Sequence, residues 1–245
     1  GSGAAGAIAW RSILTRFRTP RTALEAITGA GVGLAAVLVP ALVRDNPGAG
    51  AVLVGGAVQL AVLFMSGNSF GVDGPALSSE LLSGADGRDL VRGKARSIAI
   101  VASPLAILGP LLAASLTGEW RYLAAGFGVG VGGLLAGAGA AIVQSALVPI
   151  AIPESDNPFA GGETGKGLLA ALLLAGVLTV LAIATIPIAL GLFWATDRGA
   201  IGLVTVFAAV AVLVGWGLFR LGVHVATRHL GGREPEFVAA VTPAR

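Results

Sequence analysis

Six long, charge-poor apolar stretches run along this chain of 245 residues. A helix needs about 20 mainly apolar residues to cross the roughly 30 Å hydrocarbon core of a bilayer, and each stretch is long enough. A β-barrel strand would alternate polar and apolar residues with a period of two, and these stretches do not. The sequence therefore predicts an all-α membrane protein with six transmembrane helices, over residues 22–44, 48–68, 97–118, 121–150, 167–195 and 199–221.

The composition agrees with a membrane protein and excludes several kinds of site. Apolar residues make up 55% of the chain and charged residues 12%, with a mean hydropathy of +0.87. In soluble domains about a quarter of residues are charged. The absence of cysteine excludes disulfides and thiolate metal sites. His224 and His229 are five residues apart, a poor spacing for two ligands on one helical face, so no metal site is predicted.

The basic residues are distributed unequally between the two sides of the predicted spans. Of the 16 Lys and Arg residues, only Arg44, Arg121 and Arg198 fall on one side. The positive-inside rule therefore predicts a multi-pass protein of the plasma (inner) membrane, with both termini and the segment 73–96 in the cytoplasm. Because the basic residues are spread among loops, no nucleic-acid partner is predicted.

An amphipathic helix is predicted over residues 7–20, before the first span. Apolar side chains recur there at helical spacing, and basic residues occupy the other faces. Such a helix suits the headgroup layer of the bilayer, although a charged flank that only fixes orientation is the alternative. The side chains assigned to this interface helix are Trp10, Arg11, Leu14, Phe17 and Arg18.

Catalytic and energy-coupling motifs are missing from the sequence. The segment "GGETGKG" at 161–167 fails the phosphate-loop pattern, because Ala160 stands where its first glycine belongs and Gly167 where its hydroxyl residue belongs. It is predicted to be a turn. The span interiors carry almost no ionisable residues, which coupled-ion carriers and proton relays require. We therefore predict no enzyme activity, no cofactor on this chain and an energy source outside it.

A few polar side chains are candidates to line a transport pathway. Gln59 and Gln144 are the deepest in the predicted spans, and Asn68 ends the second span. Hydrogen bonding between helices is the alternative, and commoner, role for such residues.

Glycine and proline also carry predictions about the helices. Glycines at four-residue spacing in the fourth span, such as Gly126 and Gly130, predict close helix packing, within one bundle or across a dimer seam. Pro187 predicts that the fifth span breaks and that a short outer element follows, anchored by Trp194.

The charged connection after the second span is much longer than the other turns. Asp73 and Pro75 indicate the start of a short helix, and Gly84 indicates its end. Leu77, Leu81 and Leu82 would be available to a partner, with Glu80 at the middle of the helix. A basic face follows, formed by Arg88, Arg92 and Arg96 at four-residue spacing. A solvated loop is the alternative interpretation.

This connection resembles a motif of type-2 ABC exporter permeases, particularly actinobacterial drug or antibiotic exporters. The motif is an N-x-F-G-x-D-G run, a helix and an L-x-x-G-K element after the second span. The matching residues are Asn68, Phe70, Gly71, Asp73, Gly74, Leu90, Gly93 and Lys94.

The resemblance implies a cytoplasmic coupling helix that docks into an ABC ATPase subunit, within a coupling segment at 73–96. It implies ATP and Mg on that subunit, a second six-span permease half, and 7–20 as a connecting helix. The broken fifth span is also a feature of this family. The residues so assigned to ATPase coupling are Asp73, Leu77, Glu80, Leu81, Leu82, Arg88 and Lys94.

The resemblance implies a transporter of the multidrug-efflux type. Such a transporter would move a hydrophobic or amphipathic compound outward, such as a drug, an antibiotic or a lipid. Residues 1–245 would form one permease domain, ending in a cytoplasmic tail at 222–245. Two alternatives stay open: half of a secondary transporter, which would need an intramembrane binding site, and a non-transporting membrane scaffold.

Overall fold

The structure is a computed structural model that describes residues 3–18, 20–43, 49–74, 76–151 and 167–242. All regular secondary structure in these ranges is helical, which confirms the predicted all-α class. The α-helices are α1 (Ala4–Arg18), α2 (Pro20–Val43), α3 (Gly50–Leu53), α4 (Val58–Ser66), α5 (Ser69–Asp73), α6 (Ala76–Leu82), α7 (Gly87–Thr117), α8 (Leu123–Leu147), α9 (Gly167–Asp197), α10 (Ile201–Leu230) and α11 (Glu234–Val241).

Five helical stretches of the described residues are long and apolar enough to cross a membrane. They are Gly50–Asp73, Gly87–Thr117, Trp120–Leu147, Gly167–Asp197 and Ile201–Leu230. α2, with 24 residues, covers most of the predicted first span but is not among these five. The six-span count therefore stays a prediction, and the predicted turn at 161–167 lies almost entirely outside the described residues.

Gly50–Asp73, which corresponds to the predicted second span, is the least regular of the five. A 3₁₀ turn at Val54–Ala57 separates α3 from α4, and a further turn at residues 67–68 precedes α5. The 3₁₀ turn lies against α8, where a Cβ atom at Gly133 would be only 3.0 Å from the carbonyl oxygen of Gly56. Glycine at these positions therefore lets the two backbones approach closely.

The fifth span differs from the prediction. α9 continues through Pro187 to Asp197, so the expected break and separate outer element are absent from this helix. Proline removes one hydrogen bond and favours a kink, but the bonds of the adjacent turns can maintain a helix in a membrane. Trp194 belongs to the last turns of α9, and its ring lies 4.2 Å from the guanidinium of Arg198.

α8 is the central helix, and glycines line two of its faces. One face packs on the second span and α7, where a Cβ at Gly130 would be 2.7 Å from the carbonyl oxygen of Ala106. The other face packs on α10, where a Cβ at Gly139 would be 2.6 Å from the carbonyl oxygen of Leu218. These contacts confirm that the glycines serve packing within the bundle, which van der Waals contact stabilises in lipid.

The peripheral helices expose much of their apolar surface. Within the most apolar 18 residues of each stretch, only 6% is buried in α9, compared with 67% in Trp120–Leu147, which contains α8. α10 packs on α8 through one face and exposes others, including Leu213 and Trp216. Towards its end, α10 continues to Leu230, so the predicted tail begins as a continuation of the last span. α11 then packs against α5 and α6.

Candidate functional site at the charged connection

The charged connection folds into a short helix, α6, with a glycine turn on each side. Gly74 and Gly84 have φ values of 50° and 90°, so each turn beside α6 uses a backbone conformation that glycine adopts without strain. α7 begins directly afterwards, where the Asp86 carboxylate accepts a 2.7 Å hydrogen bond from the backbone N–H of Asp89. This N-cap starts α7 before its apolar part, so the basic residues belong to the same helix as the third span.

Four charged side chains meet where α1, α5, α6 and α7 come together. The carboxylate of Asp73 contacts the ammonium group of Lys94 and lies 3.1 Å from the Arg11 guanidinium. The Arg11 Nε lies 2.9 Å from Glu80 Oε1, and its Nη1 donates a 3.3 Å hydrogen bond to the carbonyl oxygen of Ala76. This ion-pair cluster of Arg11, Asp73, Glu80 and Lys94 joins all four helices.

The ion-pair cluster is largely removed from water. The side chains of Lys94 and Asp73 are 2% and 3% exposed, that of Glu80 is 7% exposed, and that of Arg11 is 34% exposed. A charge this deeply buried is tolerated only when it has a partner. The cluster therefore holds its helices in one arrangement, because separating any two of them leaves an unpaired charge in the interior.

Glu80 has the poorest hydrogen bonding of the four side chains in the cluster. Neither of its carboxylate oxygens has a hydrogen bond of good alignment among the described residues, although Oε1 lies within ion-pair distance of Arg11. Burial raises the pKa of Glu80 above its ordinary value, and the charge of Asp73 raises it further. The Arg11 guanidinium and the Lys94 ammonium oppose that shift.

The motif residues of the connection mostly serve packing around this cluster. Phe70 is fully buried, and its ring meets that of Phe237 from α11 edge to face at 5.2 Å. Leu90 is in the core. A Cβ at Gly93 would lie 2.6 Å from the Ile8 side chain, so this glycine allows α1 to lie directly on α7.

α1 is amphipathic as predicted, but its faces have different partners. Ala5 and Ile8 are buried, and Arg11 points to the ion-pair cluster. Trp10 and Phe17 are more than 60% exposed and Arg18 is exposed, whereas Leu14 is half-buried. Trp10 and Phe17 are thus the apolar side chains of α1 that remain for contact with a bilayer.

The side chains of α6 that a partner could reach differ from those predicted. Leu77 is fully buried and therefore is not available, which makes that part of the prediction wrong. Glu80 and Asp73 also face inward. Leu82 is 88% exposed and Leu81 is half-buried. The accessible face of α6 consists of Ala76, Ser79 and Leu82, followed by Ser83.

The three candidate pathway residues lie in different surroundings. Asn68 accepts a hydrogen bond from the Ile150 N–H and donates one to the Ile150 carbonyl, both at 2.9 Å, so it holds the chain beyond α8. Gln59 donates a 3.2 Å hydrogen bond to Thr185 of α9, which confirms interhelical bonding as one of its roles. Gln144 lies beside Gly67, and its Oε1 has no hydrogen-bond partner in the described part of the chain.

Gln59 also lines a cavity of about 280 Å³ between the long apolar helices of the bundle. Its other walls are mostly apolar and come from the second span, α8, α9 and α10, with Thr185 as a second polar group. Among the three candidates, Gln59 is the one placed on this cavity, and its Oε1 has no partner within the described residues.

Sequence reasoning missed the pairing partners within the cluster. The sequence places Arg11 at the membrane interface and Lys94 in a motif, and nothing in their spacing joins them to Asp73. One usable signal is the rarity of lysine: the chain has only Lys94 and Lys166, and Lys94 lies shortly before the apolar stretch that follows Arg96. A lysine at such a boundary requires a counter-charge or access to water.

Comparisons with protein-family models, curated proteins and solved structures found no significant match. What the site does must therefore be inferred from its own geometry and chemistry.

Proposed function

We propose that this chain is the transmembrane permease part of an ATP-driven ABC exporter, which moves a hydrophobic or amphipathic compound outward. The observation that carries the proposal is the short helix α6, whose inner face is fixed by the ion-pair cluster while Leu82 is presented on its outer face. A helix that receives force from a partner needs both a rigid attachment and an accessible surface.

The attachment connects α6 to the elements that would have to move. Glu80 pairs with Arg11 of α1, and Arg11 pairs in turn with Asp73, which contacts Lys94 at the start of α7. A displacement of α6 would therefore be passed to the amphipathic helix and to a membrane-spanning helix together. Packing of Gly93 against α1 supports the same transmission.

ATP and Mg would bind a separate ABC ATPase subunit. The interiors of the spans hold almost no ionisable residues, which favours an energy source outside this chain. The mostly apolar cavity beside Gln59 suits a hydrophobic cargo, with the amide as a polar contact. The resemblance of the connection to type-2 ABC exporter permeases supports the same assignment.

The arrangement in the membrane forms part of the proposal. Six spans would place both termini and α6 in the cytoplasm, in agreement with the distribution of Lys and Arg. A second six-span half would complete the transporter, and the largely uncovered α9 offers apolar surface for it or for lipid. The substrate path would then lie between the two halves.

Co-purification and ATP turnover test the proposal. Leu82→Asp places a charge on the accessible face of α6, where it should not disturb the core. We expect an ATPase subunit to co-purify with the wild-type chain and to be lost from, or uncoupled in, this variant. Arg228→Gln is the control, since it changes the net charge by the same amount at an exposed position on α10.

Two outcomes would overturn the proposal. If the folded wild-type chain retains no ATPase subunit, the scaffold interpretation replaces it. If purified chain in vesicles transports a compound under an ion gradient without ATP, half of a secondary transporter replaces it.

A further inference from the structure

A basic cleft of about 490 Å³ lies between the first turns of α7 and the last turns of α10. α7 contributes Arg88, Arg92 and Arg96, which are four residues apart and therefore share one face of the helix. α10 contributes Arg220 and His224, again four residues apart. The tertiary structure thus brings two basic helix faces, separated by more than 100 residues of sequence, to one site.

Four arginines concentrate positive charge at the basic cleft. Among the described residues, no carboxylate lines the cleft and none forms an ion pair with its four arginines. Arginine stays charged at all ordinary pH values. Ala95, Phe219 and Val223 form an apolar part of the lining, which reduces the screening of these charges by water.

The basic cleft lies where α7 and α10 change between basic and apolar sequence. The apolar stretch of α7 starts directly after Arg96, and that of α10 ends directly before Arg220. Trp216, one turn before Arg220, is exposed, and its ring lies 5.3 Å from the Arg220 guanidinium. An exposed tryptophan beside a basic residue is typical of the boundary between hydrocarbon and headgroups.

We propose that the basic cleft binds a phosphate-bearing anion, and that the phosphate of an anionic membrane lipid is the occupant its depth favours. The planar guanidinium group binds phosphate oxygens through two parallel hydrogen bonds, and arginines on both helices can share one phosphate. The lipid tails would then extend along the exposed apolar surfaces of α7 and α10, such as Ile100 and Leu213.

A bound phosphate would hold α7 and α10 together at this end. Without it, the arginines on the two helices repel each other across the cleft. The anion therefore acts as a link between the helix that begins at the ion-pair cluster and the last span. This inference requires only that the protein is embedded in a membrane, so it does not depend on ATP-driven transport.

Ligand-dependent thermal stability and native mass spectrometry of the purified, delipidated chain test the inference. The probes are phosphatidylglycerol, phosphatidylcholine and inorganic phosphate, each added at matched concentrations. We compare wild type with the double variant Arg92→Gln, Arg220→Gln, which removes one arginine from each side of the cleft. Arg228→Gln is the control, because Arg228 is on the same part of α10 but does not line the cleft.

We expect phosphatidylglycerol to stabilise the wild type and the control more than phosphatidylcholine does. The double variant should bind phosphatidylglycerol at least about tenfold more weakly, since each basic residue near a membrane contributes substantially to attraction for anionic lipid. The exposed positions of Arg92 and Arg220 leave the fold intact, which the gel-filtration profile checks.

Equal binding of the two lipids by the wild type, or undiminished phosphatidylglycerol binding by the double variant, would overturn the inference. If inorganic phosphate protects the wild type as well as phosphatidylglycerol does, and the double variant loses that protection, the site binds free anions and its assignment to lipid is overturned.

Discussion

The ammonium group of Lys94 contacts the carboxylate of Asp73 in the interior, where the two side chains are 2% and 3% exposed. This pair joins the end of the apolar stretch Gly50–Asp73 to the first turns of α7. A buried pair contributes little net stability compared with apolar residues of the same size, but losing one partner is costly because the other stays charged and buried. The pair therefore specifies how the two elements meet.

The first prediction concerns this pair. Asp73→Asn should lower the free energy of unfolding by about 3–5 kcal/mol, because it leaves the Lys94 ammonium without its carboxylate. Lys94→Met combined with Asp73→Asn removes both charges and should recover most of that loss. The midpoint of thermal unfolding in detergent measures both effects. A single variant as stable as wild type would show that water, and not Asp73, compensates Lys94.

The second prediction concerns pH and Glu80. The pKa of Glu80 in the folded protein lies above the ordinary carboxyl value of 4.5, chiefly because of burial. The folded protein therefore binds a proton at the Glu80 carboxylate more tightly than the unfolded chain does. The stability that follows is fully present below the unfolded pKa and is lost as the pH rises through the folded pKa. Glu80→Gln cannot lose a proton and should therefore become more stable relative to wild type as the pH increases.

The midpoint of thermal unfolding of both proteins, measured from about pH 4 to about pH 8, gives this difference. This range covers the pH values over which carboxyl groups in proteins commonly titrate. A wild-type protein that gains stability relative to Glu80→Gln with rising pH would mean that the Arg11 guanidinium outweighs burial.

The third prediction concerns the contact of α8 with α10. A Cβ atom at Gly215 would overlap the carbonyl oxygen of Gly132, whereas one at Gly217 would have open space around it. Gly215→Ala should therefore destabilise the protein, by about 1–3 kcal/mol, since two helix backbones must separate. Gly217→Ala on the same helix should be neutral or stabilise by up to about 1 kcal/mol through helix propensity. Equal unfolding midpoints for the two variants would contradict this packing.

The fourth prediction separates two roles for Asn68. Its amide makes two hydrogen bonds with the backbone of Ile150, so Asn68→Ala should cost about 1–3 kcal/mol by leaving those groups unpaired. The unfolding midpoint should fall, and any loss of transport should follow the loss of folded protein. Reduced transport by a variant of unchanged stability would instead place Asn68 on the substrate path.

Much of the fold follows from local sequence properties. Apolar length and the absence of charge predict helices that span a membrane, and the described part of the chain has five stretches long and apolar enough to do so. The spacing of glycines predicted close packing, and α8 packs through its glycines on both sides. The break predicted at Pro187 is wrong, because a single proline removes one hydrogen bond while α9 retains the bonds of its neighbouring turns.

The site was less predictable, because its members are distant in sequence. Asp73 and Lys94 could be found from the motif, but the sequence predicts that Leu77 is available to a partner, and the resemblance assigns Glu80 to ATPase coupling. Burial depends on what packs over a helix, and α6 contacts α11 and Arg11 of α1, both of which lie far from it in the chain.

The sequence by itself determined that this protein is helical and suited to a membrane, since hydrophobicity and helix formation depend on neighbouring residues and on the solvent. Only the tertiary structure decided that Arg11 belongs with Asp73 and Glu80, and that Arg92 and Arg220 share a cleft. Electrostatic energy depends on the distance and the burial of two charges, and neither is defined until the helices have packed.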